Sequence, residues 1–397
     1  MNEDFFEELD PASKAKQIFT AYYFKLYLNI IGRTIQKFSL KNRLVYLDFF
    51  AGPGKDGFGN ELTPLKVIDA VKDNPGVMNN CFLYFNDLYN GCVLKQNVID
   101  KMARLGVKIP YKVESKDSKS INVQSLFTQN DLVLSFVDSF GYQLSDVKTI
   151  SSLIKNNLSD SIVFINLDHF RRFLSAENEK RSFAFFFGGE DGVEKFAKMF
   201  ETTQNKDAVC EEIIKDYVDR LIKYHRKKLF CLPIFFRFSN ENTQYSHAIL
   251  VVSKSYTGIK QIKEAFTEVD DSQDDSGKRN ENFNFENGKI VVCENNQRGV
   301  ITVFGDENKK FYGITDYLPK SKEKAVTADD LLNIVDETYM KMHIYCSGYS
   351  TTFIKRSLRF LEENGMLGII HCGKRKRVDF TYGPNTKIYL KEHYENI

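Results

Sequence analysis

The chain has no tryptophan, no pair of cysteines at C-x-x-C spacing and almost no net charge, and each absence narrows what it does. Its seven cysteines (Cys81, Cys92, Cys210, Cys231, Cys293, Cys346 and Cys372) are odd in number and dispersed. That argues against a structural zinc site and fits a reducing compartment. Of the six histidines, His225, His247, His343, His371 and His393 form no spacing that suggests a metal centre or a nucleophile–base pair. A formal charge of +2 announces neither nucleic acid nor membrane, so any such partner must be met by a local patch. No apolar run approaches the ~18 residues that span a bilayer. The acidic start M-N-E-D-F-F-E-E-L-D is unlike a signal peptide. A cytoplasmic protein with no bound metal and no membrane partner is expected.

What is present is a large aromatic and aliphatic store. The 34 Phe and 20 Tyr, within a hydrophobic fraction of 42%, suffice for a sizeable core. A length of 397 residues suggests two or three domains. The organising stretch is Leu44 to Gly54, L-V-Y-L-D-F-F-A-G-P-G, a buried-strand pattern stopped by a glycine turn. Glycines there let the backbone approach a ligand that a Cβ would exclude. Asp48, Ala51, Gly52 and Gly54 are therefore candidate cofactor residues. After a polar loop, Thr63-Pro64 marks a helix start. Cys81 to Phe85 reads as a second strand ending in Asp87, a carboxylate suited to a ribose diol. Val107 to Val113 reads as a third, followed by Asp117 and Ser118, which read first as exposed loop residues and second as candidates for an adenine edge. Asp131 to Val137 and Ser161 to Asn166 complete five strands alternating with helices, which implies a parallel sheet covered on both faces.

Upstream, Lys14 to Lys37 has helical period, with Ile18, Tyr22, Leu26, Ile30 and Ile31 on one stripe. It either covers the first strand or lines a cleft. Glu177 to Arg226 is helical with a break at Gly188-Gly189. Leu229 to Phe238 and Tyr245 to Val252 read as an antiparallel edge pair. The acidic, Asn-rich stretch from Asp270 to Gly288 reads as a mobile insertion. Beyond it, Thr327 and Ser350 cap two helices, and Leu367 to Cys372 with Val378 to Tyr382 form a hairpin, a winged helix-turn-helix outline. Lys355, Arg356 and Arg359 on its second helix, with Lys374, Arg375, Lys376 and Arg377 at the hairpin tip, form a candidate phosphate footprint; the bland alternative is a solvated face. The expected architecture is an α/β, doubly wound Rossmann-like sheet of the class I methyltransferase kind, spanning residues 1–266 with a helical insertion near 175–228. A flexible piece over 267–325 and a winged-helix domain over 326–397 follow it.

Gly52-Pro53-Gly54-Lys55-Asp56-Gly57 matches G-x-G-x-x-G, but a polar loop rather than a helix follows, and Asp87 lies beyond the ~20-residue offset of a dinucleotide site. An S-adenosylmethionine site fits better. The fourth strand ends in Asp138-Ser139-Phe140-Gly141. There the Asp138 carboxylate and the Ser139 carbonyl can accept the N–H groups of an exocyclic amine while Phe140 stacks on the base. His169 is either a general base or a packing residue, and Arg171 and Arg172 are candidate phosphate contacts.

These residues carry a resemblance. K-x-x-I-F-x-x-Y-Y-x-x-x-Y in the first helix, Y-L-D-F-F-A-G-P-G, the T-P-L helix start, V-D-S-F-G, I-N-L-D-H-F-R-R-F and S-H-A-I-L-V-V-S-K-S-Y-T-G-I-K resemble the three-Cys-motif partner (TcmP) family over roughly residues 12 to 266. The resemblance implies a bacterial methyltransferase-like protein, often with a winged-helix tail. It also implies a mobile-element or phage-defence neighbourhood and a partner protein bearing a three-cysteine motif. Family members usually carry Asp-Pro-Phe/Tyr-Gly where this chain has Asp138-Ser139-Phe140-Gly141, and Ser-Pro-Leu where it has Thr63-Pro64-Leu65. The loss of proline loosens the proposed catalytic loop, so a catalytically degenerate module that binds nucleic acid or a partner stands beside the methyltransferase. A nicotinamide-dependent oxidoreductase is a third reading, without obvious hydride-transfer residues.

Overall fold

Runs of bulky apolar residues become strands buried on both faces, and the segments between them, apolar at helical spacing, become the helices that cover those faces. The computed structural model describes residues 20, 23–25, 27–32, 42–138, 143–176, 179–237, 244–271, 284–286, 289–295, 300–302, 311, 313–373 and 377–391. The chain divides into two units, Met1–Cys231 with Glu241–Ile259, and Leu232–Asn240 with Lys260–Ile397.

In the first unit the elements run β1 (Leu44–Asp48), α1 (Thr63–Lys72), β2 (Cys81–Asn86), α2 (Gly91–Leu105), β3 (Tyr111–Glu114) and β4 (Leu132–Val137). They continue through α3 (Val147–Leu153), β5 (Asp160–Asn166), α4 (Leu167–Phe173), α5 (Lys180–Phe187), α6 (Glu190–Thr202) and α7 (Lys206–His225). The chain passes along β6 (Phe230–Arg237) and returns as β7 (His247–Ser253). The strand order is β3-β2-β1-β4-β5-β7. The first five strands are parallel, and β7 is antiparallel to β5. The expected doubly wound, mostly parallel sheet is thus present. Every residue of β1 and β4 is buried, the signature of central strands. Phenylalanine packs the helices that follow β5: Phe170 touches Phe183, Phe186 and Phe187, and Phe186 stacks on Tyr217 at 4.6 Å between centroids.

The N-terminal helix, described at 20, 23–25 and 27–32, is rotated from its expected stripe. Tyr23, Phe24, Tyr27, Leu28 and Ile31 are buried, Ile30 is half-buried, and Ile18, Tyr22 and Leu26 lie outside the described residues. The tyrosines face inward because their hydroxyls find partners there. Tyr23 donates to the Asp160 carboxylate at 2.7 Å and Tyr27 to the Leu158 carbonyl at 2.7 Å. Both contacts lie at the amino end of β5. Burial raises the Asp160 carboxyl above its ordinary range, against the hydrogen bonds from Ser253 and Tyr23.

In the second unit β6 is not a free edge. It pairs in parallel with β9 (Lys289–Asn295), which β8 (Asn284–Glu286) and β10 (Val300–Thr302) flank antiparallel. The expected edge position of β6 is corrected by these strands, of which β8 lies within the Asp270 to Gly288 stretch expected to be a mobile insertion. Between β7 and β8 runs α8 (Tyr256–Asp271). Two helices follow, α9 (Ala328–His343), with a Thr327–Asp330 capping box, and α10 (Thr351–Glu363), capped by Ser350. The hairpin β11 (Leu367–His371) and β12 (Thr386–Leu390) closes the chain. The returning strand is therefore not Val378–Tyr382, as its composition suggests. Arg377 forks onto Glu362 at 2.7 and 2.6 Å, and Tyr382 donates to the same carboxylate at 2.5 Å. Those bonds pin the segment to α10 and leave Thr386–Leu390 to pair.

Under these elements Lys263, wholly buried, meets both oxygens of Asp336 at 2.7 Å, and Ser347 adds its N–H and hydroxyl to the same carboxylate. Among the described residues no helix is long and apolar enough to cross a membrane. Lys263→Ala leaves the Asp336 charge buried with too few donors, and is expected to destabilise the fold by roughly 3–5 kcal/mol. A chemical-denaturation midpoint equal to that of the wild type contradicts this.

Candidate functional site

The strand order sets the place. The chain leaves β1 toward β2 and β3 on one side, then crosses to β4 and β5 on the other, so β1 and β4 flank the switch point where open α/β sheets bind ligands. Asp48 closes β1, opposite Phe85 of β2 and Phe136 of β4. Asp87 and Asp138 each lie two residues beyond those partners. Three carboxylates thus stand at the carboxyl ends of three adjacent strands.

The turn after β1 is held from β2. The Ala51 N–H donates to the Asn86 carbonyl at 2.9 Å, and the Gly52 N–H donates to Asp87 Oδ2 at 2.9 Å. Gly52 and Gly54 have φ of 65° and 84°, the left-handed region that side chains rarely adopt. A Cβ on Gly54 would stand 3.1 Å from Leu94 Cδ1 of α2. Asn97 of α2 donates to the Pro53 carbonyl at 2.7 Å. Asp48 is 1% exposed, and its carboxylate accepts the Phe50 N–H at 3.1 Å, so it shapes the turn from inside.

Asp87 divides its two oxygens. Oδ1 accepts from the N–H groups of Tyr89 and Asn90 and from the Asn90 side chain, bracing the start of α2. Among the described residues Oδ2 accepts from Gly52 alone, which leaves acceptor capacity on the side of the turn. Asp117 is exposed and caps a short turn through the Lys119 N–H at 3.0 Å. Asp138 is buried, 9% exposed, at the end of β4. Ser139 and Phe140, the other expected catalytic residues, lie outside the described residues.

Two residues at these strand ends escaped the sequence reading. Asn86, buried, donates to the carbonyls of Phe49 and Lys116 at 3.2 and 3.0 Å and accepts the Lys116 N–H at 3.1 Å, lacing the ends of β1, β2 and β3 together. Its place beside Asp87 was the only signal. Glu114 ends β3. Partial burial acts to raise its carboxyl, but hydrogen bonds from Lys112, Lys116 and Tyr84 outweigh that and hold it at about 2.

The G-x-G-x-x-G match does not behave as a dinucleotide turn. Gly57 sits in an excursion closed by the Lys55–Glu61 bridge and braced by Asp56, which accepts from the N–H groups of Phe58 and Asn60. The helix α1 begins only at Thr63, with Leu62 as its cap and Pro64 in its first turn.

No family model matches the chain, and no curated protein matches it. Solved structures similar to it include a Legionella pneumophila protein of a family of unknown function, with a TM-score of 0.36 at 10% identity, covering 65% of this chain and 91% of that one. Another is the methyltransferase domain of a bacterial Hen1 protein, with a TM-score of 0.28 at 8% identity, covering 58% and 98%. A third is the SCL7 protein of Oryza sativa, with a TM-score of 0.29 at 9% identity, covering 61% and 84%. None of these similarities is high enough to carry a function to this chain; its own strand order and side chains must do so.

The candidate phosphate contacts separate by geometry. Arg171 is turned inward, donating to the Tyr245 carbonyl, while Arg172 is exposed and paired with Asp168. Lys355 is exposed and Arg356 half-buried. Arg359 pairs with Glu363 at 2.9 Å and lies over the Phe380 ring. Arg377 is committed to Glu362, and Lys374, Arg375 and Lys376 lie outside the described residues. His169 packs edge-on between Phe173 and Phe183 at 5.1 and 5.3 Å, and burial lowers its imidazole below the ordinary value.

Asp87→Ala deprives the Gly52, Tyr89 and Asn90 N–H groups of their acceptor. A loss of about 1–3 kcal/mol is expected without any ligand, read from thermal or denaturant midpoints; an undiminished midpoint contradicts the bracing role. For His169 the unfolded chain takes up a proton before the folded one as pH falls. Stability should therefore decline from about pH 7 downward through 6.5, and His169→Phe should flatten that slope. Equal slopes for the two proteins count against it.

Proposed function

We propose that this chain is an S-adenosylmethionine-dependent methyltransferase acting on nucleic acid, with an exocyclic base amine as acceptor. The observation that carries the reading is the junction at the switch point: a left-handed glycine turn after β1, the Asp87 oxygen that faces it, and Asp138 one strand away. The turn fits the group in that Gly52 and Gly54 adopt the left-handed backbone that side chains rarely adopt, with the missing Cβ of Gly54 making room for Leu94 of α2, and the Asp87 carboxylate stands against it. When bound, the cofactor supplies an electrophilic methyl on a sulfonium. In this reading the turn of Ala51, Gly52 and Gly54, shaped from within by Asp48, holds the amino-acid end, and Asp87 Oδ2 accepts from the ribose. Asp117 is left as a contact at the adenine edge.

At the β4 end, Asp138 and the Ser139 carbonyl orient the amine lone pair toward the methyl, and Phe140 stacks on the base. Asp138, or water, would take the proton that the amine gives up on methylation. Alignment supplies most of the acceleration. The helix–helix–hairpin module of α9, α10, β11 and β12 reads as a winged helix. Lys355 and the hairpin-tip lysines are offered to phosphate; Arg171, Arg172 and Arg377 already have partners within the fold. A partner bearing a three-cysteine motif and a phage-defence setting belong to the same proposal.

Ser139 in place of proline favours a second reading, in which the fold binds nucleic acid or a partner without catalysis. Calorimetry with S-adenosylmethionine tests the cofactor, with a Kd in the micromolar range expected, and no binding at ~1 mM ends the proposal. Asp138→Ala is expected to keep cofactor binding and to lower label transfer from methyl-labelled cofactor to DNA or RNA by roughly 10²–10⁴-fold. Binding without any transfer by the wild type favours the second reading.

A further inference from the structure

At the opposite end of the sheet three loops bring cations together. The helix α7 ends at His225, and Arg226, in the left-handed region at φ 57°, turns the chain into Lys227 and Lys228 before β6. Lys254 follows Ser253, the last residue of β7, which lies opposite Asp160, the first residue of β5. The Lys254 ammonium donates to the Lys155 carbonyl at 2.8 Å, in the loop before β5. The His225 ring meets the Ser151 hydroxyl of α3 at 2.8 Å. These are the amino ends of the parallel strands, remote from the turn at Gly52.

Lys223 has Asp219, at 2.5 Å, but Lys155, Arg226, Lys227, Lys228 and Lys254 have no carboxylate in salt-bridge range among the described residues. Lys155, Arg226, Lys227 and Lys228 are exposed. Burial lowers both the His225 imidazole and the Lys254 ammonium, and Lys227 presses both further down. In a chain whose formal charge is +2, this is positive charge concentrated against the mean. Self-repulsion of this kind opposes folding unless an anion meets it.

We propose that this amino-end patch binds the phosphate backbone of a nucleic acid, giving the first unit a second contact on the face opposite the candidate site. A membrane surface would require apolar side chains to insert between the cations. Here Leu158, 36% exposed, is the main aliphatic, whereas Tyr224, 49% exposed, presents a ring on which a base stacks. The inference shares with the proposed function only the class of partner. It places the backbone contact away from the base-recognition end, so that the strand is anchored independently of any base held at Asp138.

The test is fluorescence anisotropy of labelled single-stranded and duplex oligonucleotides with the full chain, over a salt series. Lys155→Gln/Lys227→Gln/Lys228→Gln is expected to weaken binding at least tenfold at low salt and to lower the slope of log K against log salt by about two. Lys227→Glu alone is expected to act in the same direction. Melting and S-adenosylmethionine calorimetry, unchanged in these variants, separate loss of the patch from loss of fold or cofactor site. Wild-type affinity and slope in the variants overturn the proposal. So does a wild type that binds phosphatidylserine vesicles and no oligonucleotide. Absence of methyl transfer, with binding still lost in the triple variant, leaves the patch standing and fails the catalytic reading alone.

Discussion

The hydrogen bond from the Gly52 N–H to Asp87 Oδ2 is the constraint on which the candidate site depends. It joins the turn after β1 to the end of β2, while the other Asp87 oxygen braces the first turn of α2. One carboxylate therefore fixes turn, strand and helix at once, and Asn86 extends the lacing to β3. A ligand meeting this end of the sheet finds backbone already ordered, so little of its binding energy is spent on arranging the protein. The parallel register adds the rest, bringing Asp87 and Asp138 to the same level at the ends of the two strands that flank β1.

Charge follows a related logic. The near-neutral total conceals an uneven distribution. Lys101, 5% exposed, is answered by Glu61 and Asp69, and Lys263 by Asp336, whereas among the described residues no acid lies in salt-bridge range of the cations around Lys227. Pairing inside the fold removes cations from candidate surfaces as well. Arg171 and Arg377 look like free guanidinium groups in the sequence, yet each is bound to a neighbour that only the fold supplies. A count of Lys and Arg cannot distinguish a charge that is spent from one that is on offer.

The legible parts were those with strong local signals. Strands β1, β2, β4 and β5 are continuous apolar runs with sharp polar ends, and Thr327 and Ser350 cap their helices as their spacing indicates. The misread parts turn on long-range partners. Tyr23 and Tyr27 belong to the buried face because Asp160 and Leu158, more than a hundred residues away, accept from their hydroxyls. Val378–Tyr382 has strand composition but is held by Glu362, and β6 loses its edge to β9.

The sequence by itself determined the alternation of strand and helix, the glycine turn and the acids at the strand ends, since period, β-propensity and glycine's tolerance of positive φ are local properties. Only the tertiary structure decided which of those acids and cations share a place. Adjacency at the switch point comes from strand order and register, and the amino-end patch comes from loops far apart in the chain. Neither is encoded in any single window, because side chains acquire neighbours across the sheet only once the strands have paired.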